Sequence, residues 1–221
     1  MASEVIHVYL MPGMAANSLI FDQIKLPEDT FKLHYLEWKI PCKNERIEAY
    51  AKRMVVDIEH ENPVLIGVSF GGILVQEMAK FISVKKIIII SSVKCNKELP
   101  RRMIFARYTK AHKLLPTGIV HNIELLAKYA FGENISKRLH LYEKYLSVRN
   151  KYYIDWSIDN IVNWKQVEPT KDVIHIHGDK DAVFPSVYIK DCIKIKGGTH
   201  IMIINRFKWF NEHLPRLILE N

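Results

Sequence analysis

Short apolar runs alternate with helix-length segments along this chain, and that alternation limits the folds open to it more than any other feature. Residues 5–11 and 63–69 are almost continuously apolar, which is typical of strands buried on both faces of a parallel sheet. Helix-length segments separate such runs. Strands that alternate with helices favour a mostly parallel sheet whose crossover connections are right-handed.

About six strands are expected in this sheet, each a short run rich in apolar residues. They are predicted at residues 5–11, 31–38, 63–69, 85–92, 172–177 and 192–196. Asn44 is predicted to cap the first core helix, since apolar residues then recur at helical spacing up to Ile58. The further core helices are predicted at residues 73–82, 186–190 and 203–213, the last of them ending near Pro215.

Residues 94–165 break this pattern, because they contain four helix-sized segments and no strand-like run. The segments are residues 100–115, 119–131, 136–148 and 153–164, and the block carries ten aromatic residues. The chain therefore divides into a core of residues 1–93 and 166–221 and an all-helical insertion at residues 94–165. The expected fold class is α/β, with helices on both faces of the sheet.

The net charge of +8 is concentrated in this helical insertion. It has 14 Lys and Arg against 6 Asp and Glu, whereas the rest of the chain has 18 of each. Two interpretations stay open: the surplus is either a solvated helical surface that aids solubility or a field that attracts an anionic substrate. No nucleic-acid-binding motif accompanies the charge, so nucleic acid is not an expected partner.

No apolar run approaches the roughly 18–20 residues that a membrane-spanning helix requires. The N-terminal sequence has Glu4 where a signal peptide carries a basic residue, and its apolar stretch ends at Pro12. The cysteines, Cys42, Cys95 and Cys192, are too scattered for a disulfide framework or a CxxC metal site. We expect a cytoplasmic protein without a membrane span, and the sequence leaves its oligomeric state open.

A G-x-S-x-G motif at residues 67–71 lies between a predicted buried strand and a predicted helix. A strand–turn–helix setting holds the central serine in a strained turn, and the flanking glycines let strand and helix approach closely. The Ser69 hydroxyl is then exposed at the edge of the sheet where the strands end. Ser69 is therefore the candidate nucleophile, and the alternative is an ordinary glycine-rich strand–helix turn.

A serine nucleophile needs an adjacent base, which is commonly a histidine held by a carboxylate. His200 is the candidate among ten histidines, because it directly follows the last predicted strand in a Gly-Gly-Thr-His segment. His175 and His177 lie on one face of a predicted strand and could ligate a metal. No third ligand accompanies them, so we expect them to pack or to support the site, and we predict no metal site and no cofactor.

Two aspartates are candidates for the carboxylate that orients this histidine. Asp179 and Asp181 both lie in the segment HGDKDAVFP, which follows a predicted strand. Either could instead simply cap the turn. The resulting order Ser, Asp, His is that of hydrolases whose nucleophile lies on a strand–helix elbow.

In these motifs the chain resembles the α/β-hydrolase superfamily. The matching segments are GVSFGG, HGDKDAVFP, GGTH and the early LMPGM, and with the strand order they cover the whole chain except the helical insertion. The resemblance implies that Asp181 rather than Asp179 is the catalytic acid. It also implies that residues 94–165 form the cap that shields the active site and shapes its pocket.

The resemblance further implies an oxyanion hole formed by the backbone N–H groups of Phe70 and Met14. Two features depart from the family pattern. Pro12 stands where the family usually has a histidine before the glycine of the oxyanion loop. The antiparallel hairpin that usually precedes the first core strand is also not expected, because the first predicted strand begins at Val5, and we expect a compact sheet.

The expected activity is hydrolysis of a small-molecule carboxylic ester or thioester through an acyl-enzyme, with Ser69, His200 and Asp181 as the catalytic residues. The same residues would also serve acyl transfer, C–C bond cleavage or a lyase step, and the fold does not choose between them. A non-catalytic ligand-binding protein is the third hypothesis. Dehalogenase and epoxide-hydrolase chemistry is disfavoured, because relatives with those activities carry Asp at the nucleophile position.

Overall fold

The computed structural model describes residues 5–115, 117 and 144–220, and six strands form one sheet in this part of the chain. In chain order the strands are β1 (Ile6–Met11), β2 (Phe31–Tyr35), β3 (Val64–Val68), β4 (Lys86–Ile90), β5 (Val173–Gly178) and β6 (Ile193–Ile195). Their spatial order is β2-β1-β3-β4-β5-β6, and each neighbouring pair is parallel. The predicted α/β fold with a parallel sheet of about six strands is confirmed.

Helices connect and flank these strands. The described helices are α1 (Ile47–Val55), α2 (Phe70–Met78), α3 (Arg101–Thr109), α4 (Lys151–Val162), α5 (Met202–Asn205) and α6 (Phe207–Leu219). Short 3-10 turns lie at Ser18–Phe21, Asn96–Glu98, Ala111–Leu114 and Ser186–Tyr188. Among the described helices, none is long and apolar enough to span a membrane.

The centre of the sheet is the core of the molecule, and its register fixes where the loops emerge. Every residue of β3 is buried, as are Ile87–Ile90 of β4. Val64 pairs with Lys86 and Val68 with Ile90, so β3 and β4 end side by side. The carboxyl ends of the parallel strands therefore share one edge, where an open α/β sheet commonly binds its ligand.

Two predicted helix starts differ from the structure. Helix α2 begins at Phe70 rather than at Ile73. The sharp turn after β3 is confined to Ser69, and Gly71 and Gly72 are already helical. Asn44 does not cap α1. It adopts a left-handed backbone conformation with φ of 59°, and the capping position belongs to Arg46.

Two predicted helix ends are also corrected. The segment predicted as one helix at residues 100–115 is broken at Lys110, whose φ of 58° ends α3 before a 3-10 turn. The segment predicted as one helix at residues 203–213 is divided at Arg206 into α5 and α6, and α6 does not stop near Pro215 but continues to Leu219. Burial of Leu214 and Ile218 on its inner face offsets the one backbone hydrogen bond that a proline removes.

The helical insertion contacts the core through aromatic side chains of its last helix and the residues after it. Trp156 Nε1 donates to the Glu45 carbonyl oxygen at 2.6 Å, and Trp164 Nε1 donates to Glu77 Oε1 at 2.8 Å. The predicted helix at residues 119–131 lies outside the described residues, as do residues 136–143 of the predicted helix that follows it.

Candidate active site

Ser69 forms the sharp turn between β3 and α2. Its φ of 53° and ψ of −120° place a non-glycine residue in a strained backbone conformation. A Cβ atom on Gly67 would lie 2.3 Å from the Gly71 carbonyl oxygen, and one on Gly71 would lie 2.3 Å from the Pro12 carbonyl oxygen. The turn therefore requires glycine on both sides of Ser69, as the motif predicted.

The structure brings Ser69, His200 and Asp181 together from three loops at the carboxyl edge of the sheet. His200 Nε2 lies 2.9 Å from Ser69 Oγ, and His200 Nδ1 lies 2.9 Å from Asp181 Oδ2. The Asp181 side chain is fully buried, whereas the His200 side chain is 13% exposed. The hydroxyl, the imidazole and the carboxylate thus form one continuous hydrogen-bonded chain.

The surroundings of Asp181 favour its ionised form. Burial alone raises the pKa of this carboxyl, but the neighbouring His200 and the hydrogen bonds from His200 and Phe184 outweigh burial, so its pKa lies below the ordinary value. Its Oδ1 accepts the backbone N–H groups of Val183 and Phe184 at 2.8 and 2.9 Å. Oδ2 then accepts the Nδ1 proton of His200, which leaves Nε2 to accept the Ser69 hydroxyl proton.

Asp179, the other candidate acid, has a different partner. Its Oδ1 accepts the Gly197 N–H at 2.7 Å, and its own N–H donates to the Ile195 carbonyl oxygen at 3.2 Å. It therefore ties the loop after β5 to the loop that carries His200, three residues before His200 itself. The structure places Asp181, and not Asp179, against the imidazole.

His175 and His177 lie buried on β5 beneath Asp181. His177 Nε2 donates to the Phe184 carbonyl oxygen at 2.8 Å, and His175 Nε2 is 3.2 Å from His177 Nδ1. Burial lowers the pKa of His175 to about 3 and also lowers the pKa of His177, so both rings are neutral near pH 7. No third metal ligand joins them among the described residues; they support the segment that holds Asp181.

The two expected oxyanion donors belong to two segments next to Ser69, the start of α2 and the loop after β1. Phe70 is the first residue of α2, where helix geometry gives the backbone N–H no acceptor within the helix. Met14 lies in the loop after β1, beside Gly13, whose position for a Cβ is 3.4 Å from Ser69 Cβ. Met14, Gly13 and Ser69 line the same pocket.

Two aromatic residues that belong to none of the sequence motifs hold the loop after β1. Trp38 Nε1 donates to the Gly13 carbonyl oxygen at 2.8 Å, and its ring stacks on Phe70 at 5.0 Å. Tyr153 of α4, which is fully buried, accepts the Ala15 N–H at 3.3 Å. Buried Trp and Tyr generally find a partner for their polar atom, but the sequence does not say which partner.

An apolar cavity of about 310 Å³ opens beside Ser69 and His200. Its walls come from the loop after β1, from α3 and α4, and from residues around α5. The apolar side chains among them include Ile20, Met103, Leu146, Ile158, Ile161 and Ile203. This volume lies at the lower end of the range for small-molecule sites, and its lining suits an uncharged, apolar group.

Arg102 joins the helical insertion to the loop that bears Asp181. Its Nη2 donates to the carbonyl oxygens of Ala182 and Val183 at 2.8 and 2.6 Å. Other lysines of the insertion pair with carboxylates. The described pairs within the insertion are Lys94–Glu98, Lys113–Asp159 and Lys151–Asp155, and those to the core are Lys97–Glu168 and Lys144–Asp22. Part of the positive surplus is therefore used in contacts within the protein.

Solved structures resemble this chain over almost its whole length. A bromoperoxidase from Bacillus anthracis matches 98% of this chain and 93% of its own, with a TM-score of 0.72 and 16% identity. An esterase from Exiguobacterium antarcticum covers 100% and 94%, with a TM-score of 0.70 and 17% identity.

A carboxylesterase structure from the ammonia-oxidizing thaumarchaeon Nitrososphaera gargenis covers 97% of this chain and 90% of its own. Its TM-score is 0.67 at 15% identity. No protein-family model matches the chain, and no curated protein matches it in sequence. At these identities the likeness establishes the fold.

Proposed function

The chain has the α/β-hydrolase fold, and from that premise we propose that it is a serine hydrolase that cleaves carboxylic esters or thioesters through an acyl-enzyme. One observation carries the proposal: the hydrogen-bonded chain from Ser69 through His200 to Asp181, with 2.9 Å at each step. Ser69 and His200 line the apolar cavity, so a substrate carbonyl bound in it can reach the serine.

The proposed reaction proceeds in two halves. Ser69 Oγ attacks the substrate carbonyl carbon while His200 Nε2 takes the hydroxyl proton, and His200 then gives that proton to the departing alcohol or thiol. In the second half a water molecule attacks the acyl carbon while His200 takes one of its protons, and His200 gives that proton to Ser69 Oγ as the acyl–Oγ bond breaks and the carboxylic acid is released. Asp181 holds the imidazole in the required tautomer and stabilises its cationic form.

The negative charge that develops on the carbonyl oxygen needs donors that are already in position. We assign this role to the backbone N–H groups of Phe70 and Met14. Trp38 and Tyr153 hold the loop around Met14 before substrate arrives, so the donors need little rearrangement during the reaction. Such prepositioned donors commonly account for 10²–10³ in turnover, or about 2.7–4 kcal/mol.

The cavity points to the kind of acyl group. An apolar chamber of about 310 Å³ favours an uncharged, apolar acyl chain over a charged one. We propose that residues 94–165 act as a cap, since α3 and α4 of this segment supply part of the wall. We expect the basic surplus of the cap to aid solubility more than to attract a substrate, because two of its lysines already pair with carboxylates of the core.

A substrate screen tests this proposal. The protein is assayed against nitrophenyl esters of graded chain length and against acyl-CoA thioesters, at low and at moderate salt. We expect turnover of apolar acyl esters, and similar salt dependence for neutral esters and anionic thioesters. If the surplus instead guided an anionic substrate, only the thioester rate would fall as salt screens a field that reaches about 8–10 Å.

Two variants complete the screen. Ser69→Ala should lose essentially all turnover, whereas Ser83→Ala, an exposed serine ahead of β4, should keep the wild-type rate. Near-normal turnover by Ser69→Ala would place the nucleophile elsewhere.

If no ester is hydrolysed although Ser69 still reacts with a covalent serine probe, the chemistry is acyl transfer, C–C cleavage or a lyase step. Failure of both points to a ligand-binding protein.

A further inference from the structure

Three histidines meet on one face of the sheet, away from Ser69. His7 and Tyr9 point to the same face of β1, because alternate residues of a strand share a face. His34 of the edge strand β2 pairs with Tyr9 in the register, which brings its side chain to the same face. His60, in the segment between α1 and β3, completes the group.

The rings of these three residues are in close contact. His7 Nδ1 lies 2.9 Å from His34 Nε2. The ring centroids of His7 and His60 are 3.4 Å apart, and those of His34 and His60 are 4.8 Å apart. All three side chains are partly buried, and one nitrogen of each ring lies within 4.8 Å of the corresponding nitrogens of the other two.

We propose that His7, His34 and His60 form a binding site for a divalent transition-metal ion of the zinc class, with a solvent water molecule as the fourth ligand. Neutral imidazole nitrogen is a preferred ligand of such ions, and three protein ligands plus water is a recurrent tetrahedral arrangement for Zn²⁺. The site lies away from the carboxyl edge, since His60 precedes β3 whereas Ser69 follows it.

The nitrogen separations suit this ion once the rings turn, because His7 and His60 stack at an interplanar angle of 14° and one of them has to rotate before both can direct a lone pair at the same ion. Zn–N bonds of about 2.0–2.1 Å in a tetrahedron place ligand nitrogens about 3.3 Å apart. The closest pair, His7 and His34, already lies within that separation at 2.9 Å. The widest separation, up to 4.8 Å, has to close by about 1.5 Å, which is a rotation of partly exposed rings rather than a movement of the strands.

Tyr9 provides the outer contact that metal-bound histidines usually have. Its Oη lies 2.7 Å from His60 Nδ1 and accepts the Glu59 N–H at 3.0 Å, and its ring stacks on His34 at 4.6 Å. We therefore assign Nε2 as the ligand atom of His60. A metal ion here would fasten the edge strand β2 to β1 and to the segment before β3.

Zinc titration of the untagged, full-length protein tests the proposal. Zn²⁺ is added in competition with a chromophoric chelator to the wild type, to His34→Gln and to His60→Gln. The matched control is His213→Gln, which removes a partly buried histidine of α6. We expect one tightly bound ion in the wild type and in His213→Gln, and binding weakened by at least about 10–100-fold in the two cluster variants.

A second measurement guards against misfolding of the variants. Bound Zn²⁺ should raise the melting temperature of the wild type, because an ion that binds only the folded state stabilises it. It should not raise that of His34→Gln, and the circular dichroism of the two metal-free proteins should agree. Absence of tight zinc binding by the wild type, or equal binding by the cluster variants, would overturn the proposal.

Discussion

At the scale of single residues, the backbone of Ser69 orients the nucleophile, and the side chain of Asp181 orients the base. Ser69 is held at a φ of 53° by a turn that glycines make possible, and this aims its hydroxyl at His200. Asp181 has its two oxygens fully used, by Val183 and Phe184 on one side and by His200 on the other. The carboxylate is thus fixed before any substrate arrives.

The two aspartates of the loop after β5 should differ sharply in a mutational test. Asp181→Asn should lower kcat by about 10⁴, because the amide no longer favours the tautomer in which His200 Nε2 accepts a proton. Asp179→Asn only weakens the hydrogen bond that this side chain accepts from the Gly197 N–H, so it should lower kcat by about tenfold or less. Steady-state kinetics on one nitrophenyl ester measures both, and the reverse ranking would contradict the assignment.

His175 gives the protein a predicted dependence of stability on pH. Burial lowers the pKa of His175 to about 3, whereas the unfolded chain has the ordinary value near 6.5. Between these values the unfolded chain binds a proton that the folded chain does not bind. Stability therefore falls as the pH falls through this window, by up to about 1.4 kcal/mol per pH unit.

Urea unfolding of the wild type and of His175→Gln at pH 7 and pH 5 measures this effect. Between the two pH values the wild type should lose about 2 kcal/mol more free energy of unfolding than the variant, since the variant has no imidazole to protonate at this position. Equal losses in both proteins would mean that His175 is protonated in the folded state or does not titrate in this range.

At the scale of elements, the site depends on how closely the β3–α2 turn approaches the loop after β1. A Cβ atom at residue 71 would lie 2.3 Å from the Pro12 carbonyl oxygen and 2.5 Å from that of Met11. These are backbone atoms, which cannot give way as a flexible side chain can. The glycine at residue 71 thus sets the distance between the nucleophile and the loop that carries Met14.

Gly71→Ala should therefore destabilise the protein by about 1–3 kcal/mol or more, the cost typical of overpacking. Gly13→Ala is the matched control, because its Cβ would meet Ser69 Cβ at an ordinary 3.4 Å, and it should cost less than about 1 kcal/mol. Denaturant midpoints of the two variants measure the difference. A Gly71→Ala protein as stable as Gly13→Ala would show that the loop after β1 moves freely.

Periodicity predicted that the core elements exist, but several of their boundaries depend on single backbone conformations. The start of α2 at Phe70 follows from the turn at Ser69, and the end of α3 follows from the left-handed conformation of Lys110. Asn44 has the right side chain for a helix cap but lies in a turn instead. Hydrophobic spacing does not encode such conformations, so they could not be predicted from the sequence.

At the scale of the whole molecule, the candidate site could be predicted because topology brings distant residues to one edge. Ser69, Asp181 and His200 follow β3, β5 and β6, and parallel strands end on the same side. Ser69 and Asp181 lie 131 and 19 residues from His200 in the sequence. The shared edge of the sheet nevertheless allowed all three to be assigned to one site.

Contacts that depend on strand register and side-chain direction could not be predicted in the same way. His7 and His34 are 27 residues apart and belong to no recognised motif. Only the pairing of β1 with β2 places them against each other. The hydrogen bonds of Trp38 and Tyr153 to the loop after β1 likewise depend on side-chain direction and could not be predicted from the sequence.

Covalent labelling shows whether Ser69 is an activated nucleophile. The protein is treated with a fluorophosphonate, and the modified peptide is identified by mass spectrometry. One adduct on Ser69 is expected in the wild type, none at that position in Ser69→Ala, and much slower labelling in His200→Gln. An adduct on a different residue, or no adduct on a correctly folded protein, would show that Ser69 is not an activated nucleophile.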